Sequence, residues 1–389
     1  MFSKQSVLNS KWAVVVGAGL NALGIVRSLG RQGVRVAVLA RSLGAQAMRS
    51  RYAVKRSTVD LYADLPERLL ALADEIGGKP VLFLTEEEAV RVVSEARDRL
   101  LPRFHFRLGD HPLMLELTHK EGVQSHTERH GLPIPPAVRL RSNDDLGLLQ
   151  TLRYPCVLKP GLKCAGYGAR FKKAYVVNSA NEARSLFDEI SPILPDLIVQ
   201  EWIAGGDDAI YFCLQYIGGE GKAVASFTGR KLRAWPPQVG GTASCMAAPE
   251  ADAQLRAMTE RFFAAVGFQG MGSMEYKRDD RDGLFYVVEP TVGRSDFQQE
   301  VATLNGCNLP YLAYCYECGL PAPASIARPS TIWREPTTDR WSEQTQGPHP
   351  AFRQFPVSDA YFRWYDMSPW LALQRGRVSQ RWQKVRPWA

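Results

Sequence analysis

Met271-Gly-Ser-Met-Glu275-Tyr-Lys277, Arg278-Asp-Asp-Arg-Asp-Gly283 and Leu284-Phe-Tyr-Val-Val-Glu289 read in turn as a strand, a turn and a returning strand. Folding about that turn brings Glu275 and Glu289 opposite or nearly opposite each other. Like charges facing each other across a sheet destabilise it unless a cation sits between them. Two glutamates offering only oxygen suit Mg2+, which keeps waters and shares substrate phosphates. The competing account is a pair of solvated carboxylates on a slipped hairpin.

Outward from the hairpin, the chain alternates strands and helices, which predicts an α/β protein. Trp12–Val16 is an apolar run followed by Gly17-Ala-Gly19-Leu-Asn-Ala-Leu-Gly24, a helical pattern through Leu29 and a second strand at Val34–Leu39. Pro80–Leu84 is a later buried strand. The GxGxxxxG spacing departs from the GxGxxG dinucleotide fingerprint. Strand two ends in Ala40-Arg41, where an NAD site places an acid. The preferred reading is a structural Rossmann-like domain with glycines for tight helix packing. An NAD(P)-dependent oxidoreductase remains a rival.

Further strands are predicted at Tyr154–Pro160, Lys173–Val177, Leu197–Glu201, Ala209–Tyr216 and Ala223–Thr228. Helices are predicted at Asn181–Ile190, Ala251–Val266 and Gln298–Leu304. Beyond Pro321 the chain becomes rich in Pro, Trp and Arg, which predicts a separate C-terminal appendage. That segment is expected to pack back on the core, to shape an acceptor pocket, or to touch an anionic membrane surface.

The 389 residues carry a net charge of +8. That favours anionic partners such as nucleotide phosphates or acidic substrates. No nucleic-acid-binding signature is present. Seven scattered cysteines suggest reduced, buried thiols, and Cys315-x-x-Cys318 lacks a second pair for zinc. No uninterrupted apolar segment reaches membrane-spanning length, and the chain is read as cytoplasmic.

Several segments could carry chemistry. Lys159 leaves an apolar strand and would need an anionic partner. The loop Gly161–Gly168, with Gly166 and Gly168, could lay backbone N–H groups on phosphate oxygens. Gln200-Glu201-Trp202-Ile203 leaves a strand whose backbone could bind an adenine edge, and the acidic turn after it could bind ribose. Arg230, Lys231 and Arg233 are read as a basic loop before the glycine–hydroxyl loop Gly240–Ser244. Arg294 follows Glu289-Pro-Thr291 and could steady developing negative charge.

In this order, the features over residues 111–320 resemble the ATP-grasp superfamily. The segments GRKLRAWPPQVGGTAS and VEPTVGRSDFQQEVATLNGCNLP are most similar to predicted ATP-dependent carboxylate–amine ligases, with a layout like D-aspartate ligases. The resemblance implies a Rossmann-like pre-ATP-grasp domain over 1–110. A two-lobed α+β module follows over 111–320, with a small lobe over about 111–196 and a large lobe over about 197–320, and then the extension 321–389. It implies Lys120 (in THKEG) and Lys159 on the nucleotide, Gln200, Glu201, Trp202 and Ile203 as the adenine hinge, and Asp208 on the ribose. It implies Glu275 and Glu289 as Mg2+ ligands, and Thr291 stands where the family has Asn. Arg230, Lys231 and Arg294 would act on the reacting groups.

The implied cofactors are ATP with one or two Mg2+ ions. The implied substrates are a small carboxylate and an amine, of acidic or glycan- or peptide-precursor type. The sequence does not set the oligomeric state, although homodimers are common among enzymes of the family it resembles. Rivals are a carboxylate–thiol ligase or kinase of the same fold, and a non-catalytic nucleotide-binding protein.

Overall fold

The computed structural model describes residues 11–60, 63–161, 170–172, 174–238, 240–323 and 330–375. Its contacts divide the chain into two compact units. The first comprises 1–118, 206–275 and 290–389, and the second comprises 119–205 and 276–289.

The first unit opens with four strands: β1 (Ala13–Val16), β2 (Val36–Ala40), β3 (Ala53–Thr58) and β4 (Val81–Leu84). They form a sheet in the order β3-β2-β1-β4, all pairs parallel. The residues of β1, β2 and β4 are buried throughout, as parallel strands covered on both faces should be. The helix Leu20–Gly30 follows β1 and buries all but its ends. This is the predicted Rossmann-like start.

The second unit holds β5 (Ala137–Leu140), β6 (Cys156–Pro160), β7 (Tyr175–Val177) and β8 (Leu197–Glu201), in the antiparallel order β5-β8-β6-β7. The helix Ala180–Ile190 is capped by Ser179, whose hydroxyl accepts the Glu182 N–H at 3.2 Å. Its Ala183, Phe187 and Ile190 join Leu140, Leu158, Leu197 and Val199 in one core. The sequence reading put 197–201 at the head of the large lobe. Here β8 instead lies between β5 and β6, because Leu197 and Val199 complete this core.

A seven-stranded sheet follows the order β13-β12-β9-β10-β11-β14-β15. Its strands are β9 (Ile210–Ile217), β10 (Ala223–Trp235), β11 (Gly241–Ala247), β12 (Gly270–Arg278), β13 (Phe285–Val292), β14 (Ile332–Arg334) and β15 (Val357–Asp359). The hairpin read from the sequence is β12–β13. Its turn is closed by Asp279, whose N–H donates to Leu284 O at 2.9 Å, and by Gly283 at φ +72°. The Asp279 carboxylate accepts the Arg281 N–H at 2.8 Å and is held below the usual carboxylate range, chiefly by the Arg281 side chain.

Two expectations are corrected. Arg230, Lys231 and Arg233 do not form a loop. They lie inside β10, which runs on to Trp235 with β9 and β11 on either side. Most of the expected loop 240–244 is likewise strand, since β11 begins at Gly241. The described part of the C-terminal extension is built into the first unit: Ser244 and Cys245 of β11 pair with Arg334 and Trp333 of β14, and Trp333 is fully buried. Trp382 and Trp388 lie outside the described residues.

Candidate active site

In the second unit, β6 and β8 place Lys159 opposite Ile198 and Gln200 opposite Val157. The two side chains are therefore diagonal neighbours on one face, and Lys159 Nζ donates to Gln200 Oε1 at 2.7 Å. The buried Glu201 carboxylate accepts from Arg153, from its N–H at 2.9 Å and its Nε at 3.0 Å. Glu201 thus braces the strand end, and the half-buried Trp202 and Ile203 follow it outside the strand. The Trp202 carbonyl accepts from Arg281 at 3.0 Å, and Lys277 Nζ stands 4.7 Å from the Trp202 ring centroid, a cation–π contact. Lys120 is the first residue of the helix Lys120–Arg129. Gly166 and Gly168 lie outside the described residues.

In the first unit, Asp207 and Asp208 open a short 3-10 turn ahead of β9. Asp207 is structural: its carboxylate accepts N–H groups of Ala234 at 2.7 Å and Gln238 at 2.6 Å, and the amide of Gln346 at 2.7 Å. Asp208 is exposed, with His349 Nε2 at 4.0 Å. Burial pushes the His349 imidazole below its ordinary value, Asp208 opposes the shift, and Arg233 and Arg230 reinforce it.

Lys231 is buried and pairs with Glu275 across 2.9 Å. Arg233 is also buried, and it binds Asp339 at 3.0 Å, Glu343 at 3.2 Å and the Gly347 carbonyl at 3.2 Å. It therefore anchors the C-terminal extension. Arg230 is half-buried, and its Nε has no hydrogen-bond partner among the described residues. Arg294 is half-buried and donates to the Ser295 carbonyl at 3.2 Å. Glu289 is exposed on β13, with Thr291 two residues on and half-buried.

Sequence reading missed three residues near these positions. His349 beside Asp208 left no local signal. Lys277 shares a strand face with Glu275, two residues away, so the alternation of β12 carried that hint. Glu86 is the third: its carboxylate accepts the Ala18 N–H at 3.0 Å on the glycine loop. A dinucleotide pyrophosphate would meet that loop at the same helix start, so the protein's own acid occupies the place.

Glu275, Glu289 and Thr291 each carry oxygen donors, the chemistry that Mg2+ takes. Among the described residues no group of three or more His, Cys, Asp or Glu side chains could hold a metal. Mg2+ commonly uses only one or two carboxylates and takes the rest from water and substrate phosphates, so the chemistry of these side chains suits it. Among the described residues no helix is long and apolar enough to cross a membrane.

No family model matches the chain, and no curated protein matches it. Solved structures do. The N5-carboxyaminoimidazole synthetase from Staphylococcus aureus superposes with a TM-score of 0.64 at 13% identity, covering 89% of this chain and 87% of that one. Phosphoribosylglycinamide synthetase from Anaerococcus prevotii gives 0.62 at 12% identity, covering 83% and 80%. The biotin carboxylase domain of 2-oxoglutarate carboxylase from Hydrogenobacter thermophilus, a dimer in complex with MgADP, ADP and bicarbonate, gives 0.60 at 16% identity, covering 83% and 74%.

The chain has the ATP-grasp fold. In that ATP-grasp frame, the Rossmann-like sheet is the N-terminal domain, β5–β8 form the smaller sheet, and the seven-stranded sheet carries Lys231, Glu275, Glu289 and Thr291.

Proposed function

We propose that the chain is an ATP-dependent ligase that activates a carboxylate as an acyl phosphate and joins it to an amine. The observation that carries this reading is the Lys159–Gln200 pair at 2.7 Å, at the end of a strand that runs into the Glu201–Ile203 hinge. On this reading Lys159 would meet phosphate and the strand end would meet adenine, in a fold whose solved examples include a MgADP complex.

Lys120 and Lys159 bind phosphate oxygens, with Gly166 and Gly168 supplying loop backbone. Gln200, Glu201, Trp202 and Ile203 form the adenine edge, and Asp208 binds the ribose. Glu275, Glu289 and Thr291 would hold Mg2+, which supplies charge neutralisation at the transferring phosphoryl group. The substrate carboxylate attacks the γ-phosphorus, the bond to the ADP oxygen breaks, and an acyl phosphate forms. The amine nitrogen then attacks the acyl carbon, phosphate leaves, and the amine loses a proton. Arg230, Lys231 and Arg294 offset the charge that builds on the acyl phosphate and the tetrahedral oxyanion.

No protein nucleophile is needed in this scheme. The net charge of +8 favours an acidic carboxylate substrate. The test is ADP release with pools of carboxylates and amines, with hydroxylamine added to trap the acyl phosphate. A hydroxamate product is expected with the wild-type chain and none with Glu289→Ala, which should fold normally because Glu289 is exposed. Undiminished ADP release from that variant would overturn the metal assignment.

A further inference from the structure

The segment Tyr361-Phe-Arg-Trp364-Tyr-Asp-Met367-Ser-Pro-Trp-Leu371 is folded inside out. Its two charges are buried: Arg363 is 5% exposed and bonded to Glu300 at 2.9 Å, and Asp366 is 2% exposed and paired with Arg27. Its apolar side chains face water. Trp364 is 79% exposed, and Phe362, Met367 and Leu371 are exposed with it. Single exposed apolar residues are ordinary, but four within ten positions, with the charges between them turned inward, form a patch that needs a partner.

The rings of the patch are held in place. Phe362 stands edge-on to Trp370 with centroids 5.5 Å apart, and Trp364 stands edge-on to Tyr365 at 5.5 Å. Exposed arginines flank them: the Arg31 guanidinium lies 4.4 Å over the Tyr365 ring, and Arg51 donates to the Tyr365 carbonyl at 3.5 Å. The Asp359 carboxylate beside the patch accepts the N–H groups of Tyr361 at 2.8 Å and Phe362 at 3.0 Å. After Asp366 the sequence holds no acid. Arg375, Arg377, Arg381, Lys384 and Arg386 follow, with Trp382 and Trp388 among them, and 376–389 lie outside the described residues.

We propose that Phe362, Trp364, Met367 and Leu371, with the flanking arginines, dock the protein on an anionic phospholipid bilayer. Tryptophan and phenylalanine rings settle at headgroup level, with their apolar bodies among the acyl chains. The cations then meet lipid phosphates, an attraction that salt screens. A second copy of the chain could cover an apolar patch, but two cationic surfaces repel each other, which favours the lipid.

The test is flotation of the full chain with vesicles of phosphatidylcholine alone and of phosphatidylcholine mixed with phosphatidylglycerol, with tryptophan emission read in parallel. Binding to the mixed vesicles only, a blue shift, and release by high salt are expected. Trp364→Ser should weaken binding by about tenfold, the loss of one buried apolar ring. A Met367→Ser, Leu371→Ser double variant should weaken it similarly with every ring kept. Thermal unfolding of each variant, measured alongside, should show a folded chain, since the replaced side chains are exposed. No flotation with mixed vesicles, equal flotation with both, or undiminished binding by both variants would overturn the proposal. A dimer in sedimentation equilibrium that Trp364→Ser dissociates would also overturn it, because a second copy would then cover the patch. None of these readouts involves turnover, so each leaves the ligase reading standing.

Discussion

Arg27 and Asp366 are 339 positions apart in the chain and meet in a buried 2.9 Å ion pair. Arg27 comes from the first helix of the Rossmann-like domain, and Asp366 comes from the C-terminal extension. Around them Arg27 donates to the carbonyls of Ala360 at 2.8 Å and Tyr361 at 2.7 Å. Ser50 Oγ and the Arg51 N–H each donate to Asp366 at 2.8 Å. Glu300 joins the same group, bound by Arg363 at 2.9 Å and by Trp333 Nε1 at 2.8 Å. The extension is thereby fastened to the first unit by charge as well as by the burial of Trp333.

Asp366→Ala should cost about 3 kcal/mol, the low end for a broken buried ion pair, because Glu300 stays 3.8 Å from Arg27. Urea unfolding would measure this. A loss below about 1 kcal/mol, the usual level for exposed pairs, would show that water reaches the site.

Gly17→Ala should be destabilising by about 2 kcal/mol or more, through a strained backbone and overpacking. Gly17 sits at φ +134°, and a Cβ there would come within 1.8 Å of Thr85 Oγ1. Thr85 cannot swing away without breaking its 2.8 Å bond to the Val16 carbonyl. Thermal unfolding of the variant checks this, and an unchanged midpoint would refute it.

Stability should fall as the pH drops through about 6.5, the ordinary histidine value. His105 and His349 are both held below that value, chiefly by burial. Each is neutral when folded, so the unfolded chain takes up the proton first. Their contribution is complete above the unfolded value and is lost progressively on acidification. His105 also accepts from the Lys11 ammonium at 3.2 Å, which only the neutral ring can do. Urea midpoints at pH 7.5 and 5.5 should differ less in a His105→Gln, His349→Gln double variant than in the wild type.

Lys159→Met should weaken ATP binding by roughly tenfold to a hundredfold, the equivalent of losing one charge-assisted hydrogen bond. Gln200→Leu should weaken it less, since it keeps the lysine charge and the strand-end backbone and removes a neutral partner of Lys159. Calorimetric titration with a non-hydrolysable ATP analogue would rank the two, and equal affinities in all three proteins would remove Lys159 from the nucleotide site.

Neighbouring residues along the chain were enough to place the β12–β13 hairpin, the helix Leu20–Gly30 and the Lys159 and Gln200 strand ends. Alternation, turn glycine and apolar runs are local properties, and the backbone obeys them whatever lies around it. The same logic misread Arg230–Arg233 as a loop, because three cations in four residues look solvated. Only the folded chain brings Glu275 to Lys231, Asp339 to Arg233 and His349 to Asp208. Those partners are separated by between 44 and 141 positions, from Lys231–Glu275 to Asp208–His349. Burying a charge depends on what stands opposite it in space, and no pattern within one strand or turn carries that information.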